Sequence, residues 1–135
     1  HVADRLADGD ILVSPAVGMK REEEGFRYHP PSAGSVTQLV ADGAPSGVAV
    51  VGAFHNLSAD RLADLDAELG IDTLLVGDDP DAVDIVRLLA EEIEGLRPLS
   101  AGPIANAPEV ESLTPLLVTV ASHNEGMHDL GVEFR

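Results

Sequence analysis

"TLLVGDDPDAVDIVRLLAEEIEG", residues 73–95, holds both halves of a strand–helix unit in one line. The run from Thr73 to Gly77 is short, continuous and apolar, which suits a strand buried on both faces. Asp79 and Pro80 form an N-cap and first-turn pair: the aspartate oxygen accepts from otherwise unpaired N–H groups, and the proline's missing N–H costs nothing there. Ala82, Val83, Ile85, Val86, Leu89, Ala90 and Ile93 then recur at helical spacing until Gly95, which predicts an amphipathic helix. A strand feeding directly into a helix is the unit from which mostly parallel sheets are wound.

The same alternation extends in both directions. "ILVSP" (11–15) reads as a strand stopped by Pro15, "VAVVGAF" (48–54) as a second, "RPLSAG" (97–102) as a short later one and "LGVEFR" (130–135) as a terminal one. Between them, Val36, Leu39 and Val40 share a face of a helix closed by Gly43, and Ser58 caps a helix with Leu62, Leu65 and Leu69 as its stripe. The pattern predicts an α/β fold, the later part of a doubly wound, mostly parallel sheet. "HVADRLADGD" (1–10) reads as the end of a helix whose beginning is missing, so a fragment of a longer chain is expected.

"GPIANAPEVESLTP" (102–115) concentrates three prolines. Asn106 with Glu109 has the form of a capping box, and Pro108 suits a first turn. Val110, Leu113, Leu117 and Val120 mark the buried face of a long helix. Pro115 lies inside it and cannot donate to the carbonyl of Glu111, at a cost of about 3 kcal/mol unless other contacts compensate. It either kinks a core helix, or it turns Ser112 and Thr114 toward a ligand cleft whose wall the helix forms.

At 135 residues and 44% hydrophobic content the chain is one ordinary domain's worth of sequence. The formal charge is −16, with acids scattered along its length. A nucleic-acid backbone or an anionic membrane surface needs a basic stripe that is lacking here, so neither is an expected partner. With no cysteine there is no disulfide, thiolate metal site or cysteine nucleophile. No apolar stretch approaches the length of a membrane span, and a cytoplasmic protein is expected.

Ligands in open parallel sheets sit beyond the carboxyl ends of the strands. "SPAVGM" (14–19) and "GAFHNLSA" (52–59) follow the first two strands. Gly18, Gly52 and Ala53 are small enough for a flat ring to approach the backbone, and Ser14, His55, Asn56 and Ser58 can hydrogen-bond; two ordinary turns would look the same. "MKREEEGFRYH" (19–29) reads either as a lid or as a solvated loop anchored by Phe26 and Tyr28. His123 and His128 with Glu125 and Asp129 match no common zinc spacing, and no metal is expected. Asp78 and Asp79 read as a helix-start pair. Neither G-x-S-x-G nor G-x-G-x-x-G occurs.

The succession "ILVSPAV", "GFRY", "VVGAFHNLSADRLADLD", "VGDD", "EIEGLRPLSAGPIANAPEVESLTPLL" and "NEGMHDLGVEF" resembles the C-terminal two thirds of the archaeal coenzyme F-420-dependent NADP oxidoreductases. The likeness implies a Rossmann-type sheet, with residues 1–100 as the later half of an NADP-binding domain and 101–135 as a small segment closing a deazaflavin cleft. It implies hydride transfer between NADP(H) and the deazaflavin coenzyme F-420. Val17, Gly18 and Met19 would lie against the rings, His55, Leu57 and Ala59 would line the same cleft, and Ser112 and Leu130 would border the deazaflavin. His55 would polarise a carbonyl or deliver a proton. Gly18 stands where that family often has proline, and Phe54 is larger than usual.

The glycine-rich dinucleotide turn and the basic pair for the NADP 2′-phosphate would lie upstream of His1, and a homodimer is expected. With Lys20 as its single lysine, the acid-rich chain also resembles proteins of salt-loving archaea, whose surface repulsion is screened when the Debye length falls to about 3 Å in molar salt. Two other readings stay open, an NADP-dependent imine or keto-acid reductase and a non-catalytic dimerisation module.

Overall fold

Strand β1 (Ile11–Ser14) lies parallel to β4 (Ala49–Gly52), with Ile11 opposite Ala49 and Ser14 opposite Gly52. Strand β5 (Ile71–Gly77) lies parallel to β6 (Leu96–Ser100). The two pairs join in the order β1-β4-β5-β6 through an antiparallel seam, Val51 opposite Gly77 and Gly52 opposite Val76. The computed structural model describes residues 2–58, 62–63 and 70–135. The sheet is mostly parallel, as expected. The seam left no trace in the sequence, because a strand buried on both faces reads alike in either direction.

Helix α2 (Pro80–Glu91) covers one face, with Ala82, Val86 and Ala90 against Val51, Leu75, Ile71 and Leu96. Its cap is the expected one: Asp79 Oδ1 accepts from the amides of Asp81 (3.0 Å) and Ala82 (3.3 Å). Its buried stripe is narrower than predicted. The small residues Ala82 and Ala90, with Val86 between them, form a single row against the sheet, so Ile85 and Leu89 stand 49% and 62% exposed. Helix α1 (Val36–Gly43) departs in the same way, burying Thr37 while Leu39 faces out. On the opposite sheet face, Val76 packs on Ala107 and Val110 of helix α3 (Ala107–His123).

Helix α3 runs unbroken through Pro115, which is buried, but Val120 is exposed rather than part of the buried face. The expected capping box does not form. Asn106 adopts φ −89° and ψ 0°, and its side chain donates instead to Ala101 O at 2.8 Å. Of the helix predicted after Ser58, Leu62 donates to Ser58 O at 3.1 Å, while Leu65 and Leu69 lie outside the described residues. Val2–Arg5 forms a 3-10 turn, not the end of an α-helix. No helix among the described residues is long and apolar enough to cross a membrane.

Residues 19–28, read as a lid or a loop, form an antiparallel hairpin of β2 (Met19–Glu22) and β3 (Gly25–Tyr28). Strand β2 is exposed throughout, so no apolar alternation announced it. The hairpin is pinned to α3: Thr119 Oγ1 accepts from the Phe26 amide (3.0 Å) and donates to the Phe26 carbonyl (3.1 Å). Gly25, at φ +141°, allows this approach, since a Cβ there would lie 2.7 Å from Thr119 Oγ1.

"LGVEFR" is not a strand but a tail tied to the start of β5. The Asp72 amide donates to Val132 O (2.7 Å), and the Phe134 amide donates to Asp72 Oδ2 (2.6 Å). Arg97 Nε and Nη2 clamp the nearly fully buried Asp72 carboxylate at 2.8 and 2.7 Å. Hydrogen bonds from Arg97, and then from the Phe134 amide, outweigh burial and hold this carboxyl below its ordinary range. A group whose folded-state pKa is depressed contributes stability above the unfolded-state value, and that contribution is lost as pH falls through the folded one. We expect Asp72→Asn to flatten the acid limb of stability below about pH 4, the ordinary carboxyl range, and to speed hydrogen exchange in residues 127–135. Urea denaturation across pH 2–7 checks this; a mutant acid limb as steep as the wild type's contradicts it.

Candidate functional site

The carboxyl ends of β1 and β4 emerge side by side, with the Ala53 amide donating to Ser14 O at 3.1 Å. Past this edge the chain turns through Phe54 at φ +64°, a left-handed conformation that costs a non-glycine residue about 1–3 kcal/mol. The Phe54 side chain packs against both apolar clusters that α2 shares with the sheet, which offsets the strain. The turn sends His55 and Asn56 inward, and both are buried. Asn56 is an anchor: it donates to Asp72 O (2.8 Å) and accepts from Thr73 Oγ1 (3.1 Å).

His55 sits in a polar network that joins three elements. Its carbonyl accepts from Thr114 Oγ1 of α3 at 2.6 Å, so Thr114 does turn toward a neighbouring element. Ser112 instead donates to Glu109 O within its own helix. His55 Nε2 lies 3.4 Å from Thr37 Oγ1 at the start of α1, and Nδ1 has no partner. Beyond Thr37 lies Glu111, an α3 side chain with no solvent exposure. Its Oε1 accepts from the Val36 amide (2.8 Å), and its Oε2 from the Thr37 amide (3.0 Å) and hydroxyl (2.8 Å). A carboxylate at the first turn of a helix meets unpaired N–H groups and the positive end of the helix dipole.

Neither Thr37 nor Glu111 was read as a site residue. The signal was present in Glu111, a lone acid one helical turn from both Ala107 and Pro115 on the face that α3 buries. Its counterpart, the first turn of α1, carries no acid of its own.

The small residues allow close packing within the chain itself. A Cβ on Gly52 would lie 2.7 Å from Thr37 Oγ1 and 3.0 Å from His55 Cε1, so the glycine makes room for the network itself. A Cβ on Gly18 would lie 2.3 Å from His29 O, and Ala53 is buried in the core.

Beside His55 lies a cavity of about 300 Å³ with Leu57, Thr114, Leu117, Val118 and Leu130 among its lining residues. His55, Leu57 and Leu130 are thus brought together. Ser112 lines a different cavity, of about 330 Å³, between the hairpin and α3, shared with Phe26, Tyr28 and Pro115. Val17, Gly18 and Met19 lead into the hairpin and border neither cavity, and Ala59 lies outside the described residues. Among the described residues no three His, Cys, Asp or Glu side chains gather as metal ligands, and His123 Nε2 lies 2.6 Å from Glu24 O. Asp78 ties loops together by accepting from the Ile104 amide at 3.0 Å.

Two titrations are displaced by this setting. Burial lowers the His55 pKa, and the nearby Glu111 charge only partly opposes it, so the ring is neutral at neutral pH. Tyr28, which donates to Gly34 O at 3.0 Å, is pushed up to about 12 by burial and by the negative charges of Glu111 and Glu109.

No protein-family model matches the chain. It is 38% identical over 78 residues to the F420-dependent NADP reductase of Methanothermobacter marburgensis, a match covering 58% of this chain and 35% of that protein. It is 35% identical over 112 residues to the F420-dependent NADP reductase of Methanocaldococcus jannaschii, covering 82% of this chain and 50% of that one. The chain is related to the F420-dependent NADP reductases. It spans between about a third and half the length of these curated relatives. Its fold matches a solved structure from Arthrobacter sp. FB24, named as a candidate F420-dependent NADP reductase, with a TM-score of 0.81 at 19% identity, over 98% of this chain and 60% of that one.

The neutral, buried His55 makes the fold acid-sensitive. Below about pH 6.5 the unfolded chain takes up this proton before the folded one, so stability falls with pH by up to about 1.4 kcal/mol per unit until the folded-state value is reached. We expect His55→Gln to remove that slope as pH falls below about 6.5. Urea midpoints for both proteins over this range are the check, and parallel slopes contradict the assignment.

Proposed function

We propose that this chain forms the coenzyme-facing part of an oxidoreductase that transfers a hydride between NADP(H) and the deazaflavin coenzyme F-420. In this reading residues 1–100 complete the NADP-binding sheet and residues 101–135 close the deazaflavin cleft. The observation that carries it is the cavity at the strand edge, walled by Leu57, Leu117, Val118 and Leu130, with His55 Nδ1 as a buried polar atom that lacks a partner. A slot with apolar walls and polar side chains such as His55, Asn56 and Ser58 at its lining fits a flat heterocycle that carries a polar edge. A volume of about 300 Å³ suits one ring system, and the relationship to F420-dependent NADP reductases supports the choice of coenzymes.

When bound, NADPH supplies the hydride and oxidised F-420 accepts it together with a proton from solvent. The work left to the protein is positioning, since reacting atoms must be held about 3–3.5 Å apart with water excluded. Leu57 and Leu130 wall the slot, while Ser112, which lines the other cavity, and Ala59 are assigned to the coenzyme by the family resemblance. Val17, Gly18 and Met19 follow β1, whose end is level with that of β4; they border neither cavity, and it is the family resemblance that assigns them to the rings. In this reading the neutral His55 acts as a hydrogen-bonding group rather than as the donor of the proton. An imine or keto-acid reductase needs such a donor beside the substrate carbon, which favours the F-420 reading.

The test is to mix the full-length protein with NADPH and oxidised F-420 and follow the coenzyme's visible absorbance. We expect bleaching, slowed at least about tenfold in kcat/KM by His55→Ala. Reduction of imines or keto acids without bleaching of F-420 would overturn the reading.

A further inference from the structure

The network behind His55 decides which of its nitrogens carries the hydrogen. Thr37 has one hydroxyl hydrogen. Glu111 Oε2, 2.8 Å away, accepts it, alongside the Thr37 amide at 3.0 Å. The hydroxyl therefore offers only lone pairs to His55 Nε2 at 3.4 Å, and that contact is attractive only when Nε2 bears the hydrogen. A neutral imidazole carries one N–H, so Nδ1 is left as a bare acceptor. His55 is 4% exposed, and among the described residues its Nδ1 is the buried side-chain atom with no partner. An unmatched buried acceptor is costly to leave unmet, and a ligand donor restores the bond.

We propose that Glu111 and Thr37 are positioning residues that lock His55 in its Nε2–H form, so that Nδ1 accepts a hydrogen bond from an amide or imide N–H of the ring occupying the cavity. The identity of that ring rests on the function proposed above; the locked tautomer does not. Both candidate rings carry such a donor, the imide of the deazaflavin and the carboxamide of nicotinamide. Discrimination follows, because a ring edge presenting only acceptors would face a lone pair and be rejected.

The experiment uses full-length protein with nitrogen-labelled histidine and long-range proton–nitrogen correlation spectra, the His55 signals being those absent from His55→Gln. Without coenzyme, we expect Nδ1 to resonate as an unprotonated nitrogen and Nε2 as a protonated one. The reverse assignment, or averaging between the two forms, overturns the proposal. Thr37→Ser should keep the wild-type pattern, whereas Thr37→Val should move it toward the average; a Thr37→Val spectrum like the wild type's removes Thr37 from the mechanism.

Adding F-420 alone, or NADP alone, should shift Nδ1 toward a hydrogen-bonded acceptor for whichever ring enters. Thr37→Val should weaken that coenzyme's binding about fivefold, with Thr37→Ser restoring it. A coenzyme that binds without moving Nδ1 overturns the ligand half of the proposal. Failure of both coenzymes to bind overturns that half together with the functional reading, while the coenzyme-free spectrum still decides the tautomer.

Discussion

A single buried carboxylate ties the last helix to the rest of the molecule. Removing an ion such as Glu111 from water costs several kcal/mol, and the structure offsets this with two backbone amides, one hydroxyl and the positive end of α1. The bond is reciprocal. Helix α1 lacks an acid in its own first turn and receives one from α3, while Ser35 supplies its side-chain cap by accepting from the Gln38 amide at 2.9 Å. Gly52 is the condition for this contact, because any side chain there would collide with Thr37 and His55.

From that anchor the site follows outward. Glu111 orients Thr37, Thr37 faces His55, and Thr114, on the same helix as Glu111, holds the His55 carbonyl. The other wall is carried by the C-terminal tail, where Leu130 precedes a segment fastened to Asp72 by Val132 and Phe134. A histidine kept neutral by burial makes a poor acid, and in the proposed reading it serves instead as a hydrogen-bond acceptor. That division of labour suits chemistry in which the coenzymes hold the reactivity and the protein holds the geometry.

Much of this was legible in the sequence where local rules decide. The strand before Asp79 and the cap and start of α2 came from period and end signals alone, since Asp79 and Pro80 act within a few residues of themselves. What failed depended on partners far along the chain. The width of α2's buried stripe is set by the sheet beneath it, not by the helix, so Ile85 and Leu89 were misplaced. The hairpin at residues 19–28 is held by Thr119, and the side chain of Asn106 goes to Ala101 rather than to its own helix. For the site, His55, Leu57 and Leu130 were named from a family resemblance and do share a cavity, whereas Ser112 lines another and Val17, Gly18 and Met19 border neither. Glu111 and Thr37 escaped because their roles exist only once α1 and α3 meet.

The most direct measurement of this central claim is a double-mutant cycle between Glu111→Gln and Thr37→Val, read as unfolding free energy of the full-length protein. If the carboxylate and the hydroxyl bond across the two helices as described, the cycle should give a coupling of about 1–2 kcal/mol, with the single Glu111→Gln change costing about 2–3 kcal/mol. Additive effects, with Glu111→Gln tolerated as an exposed surface change would be, would contradict the account at its root.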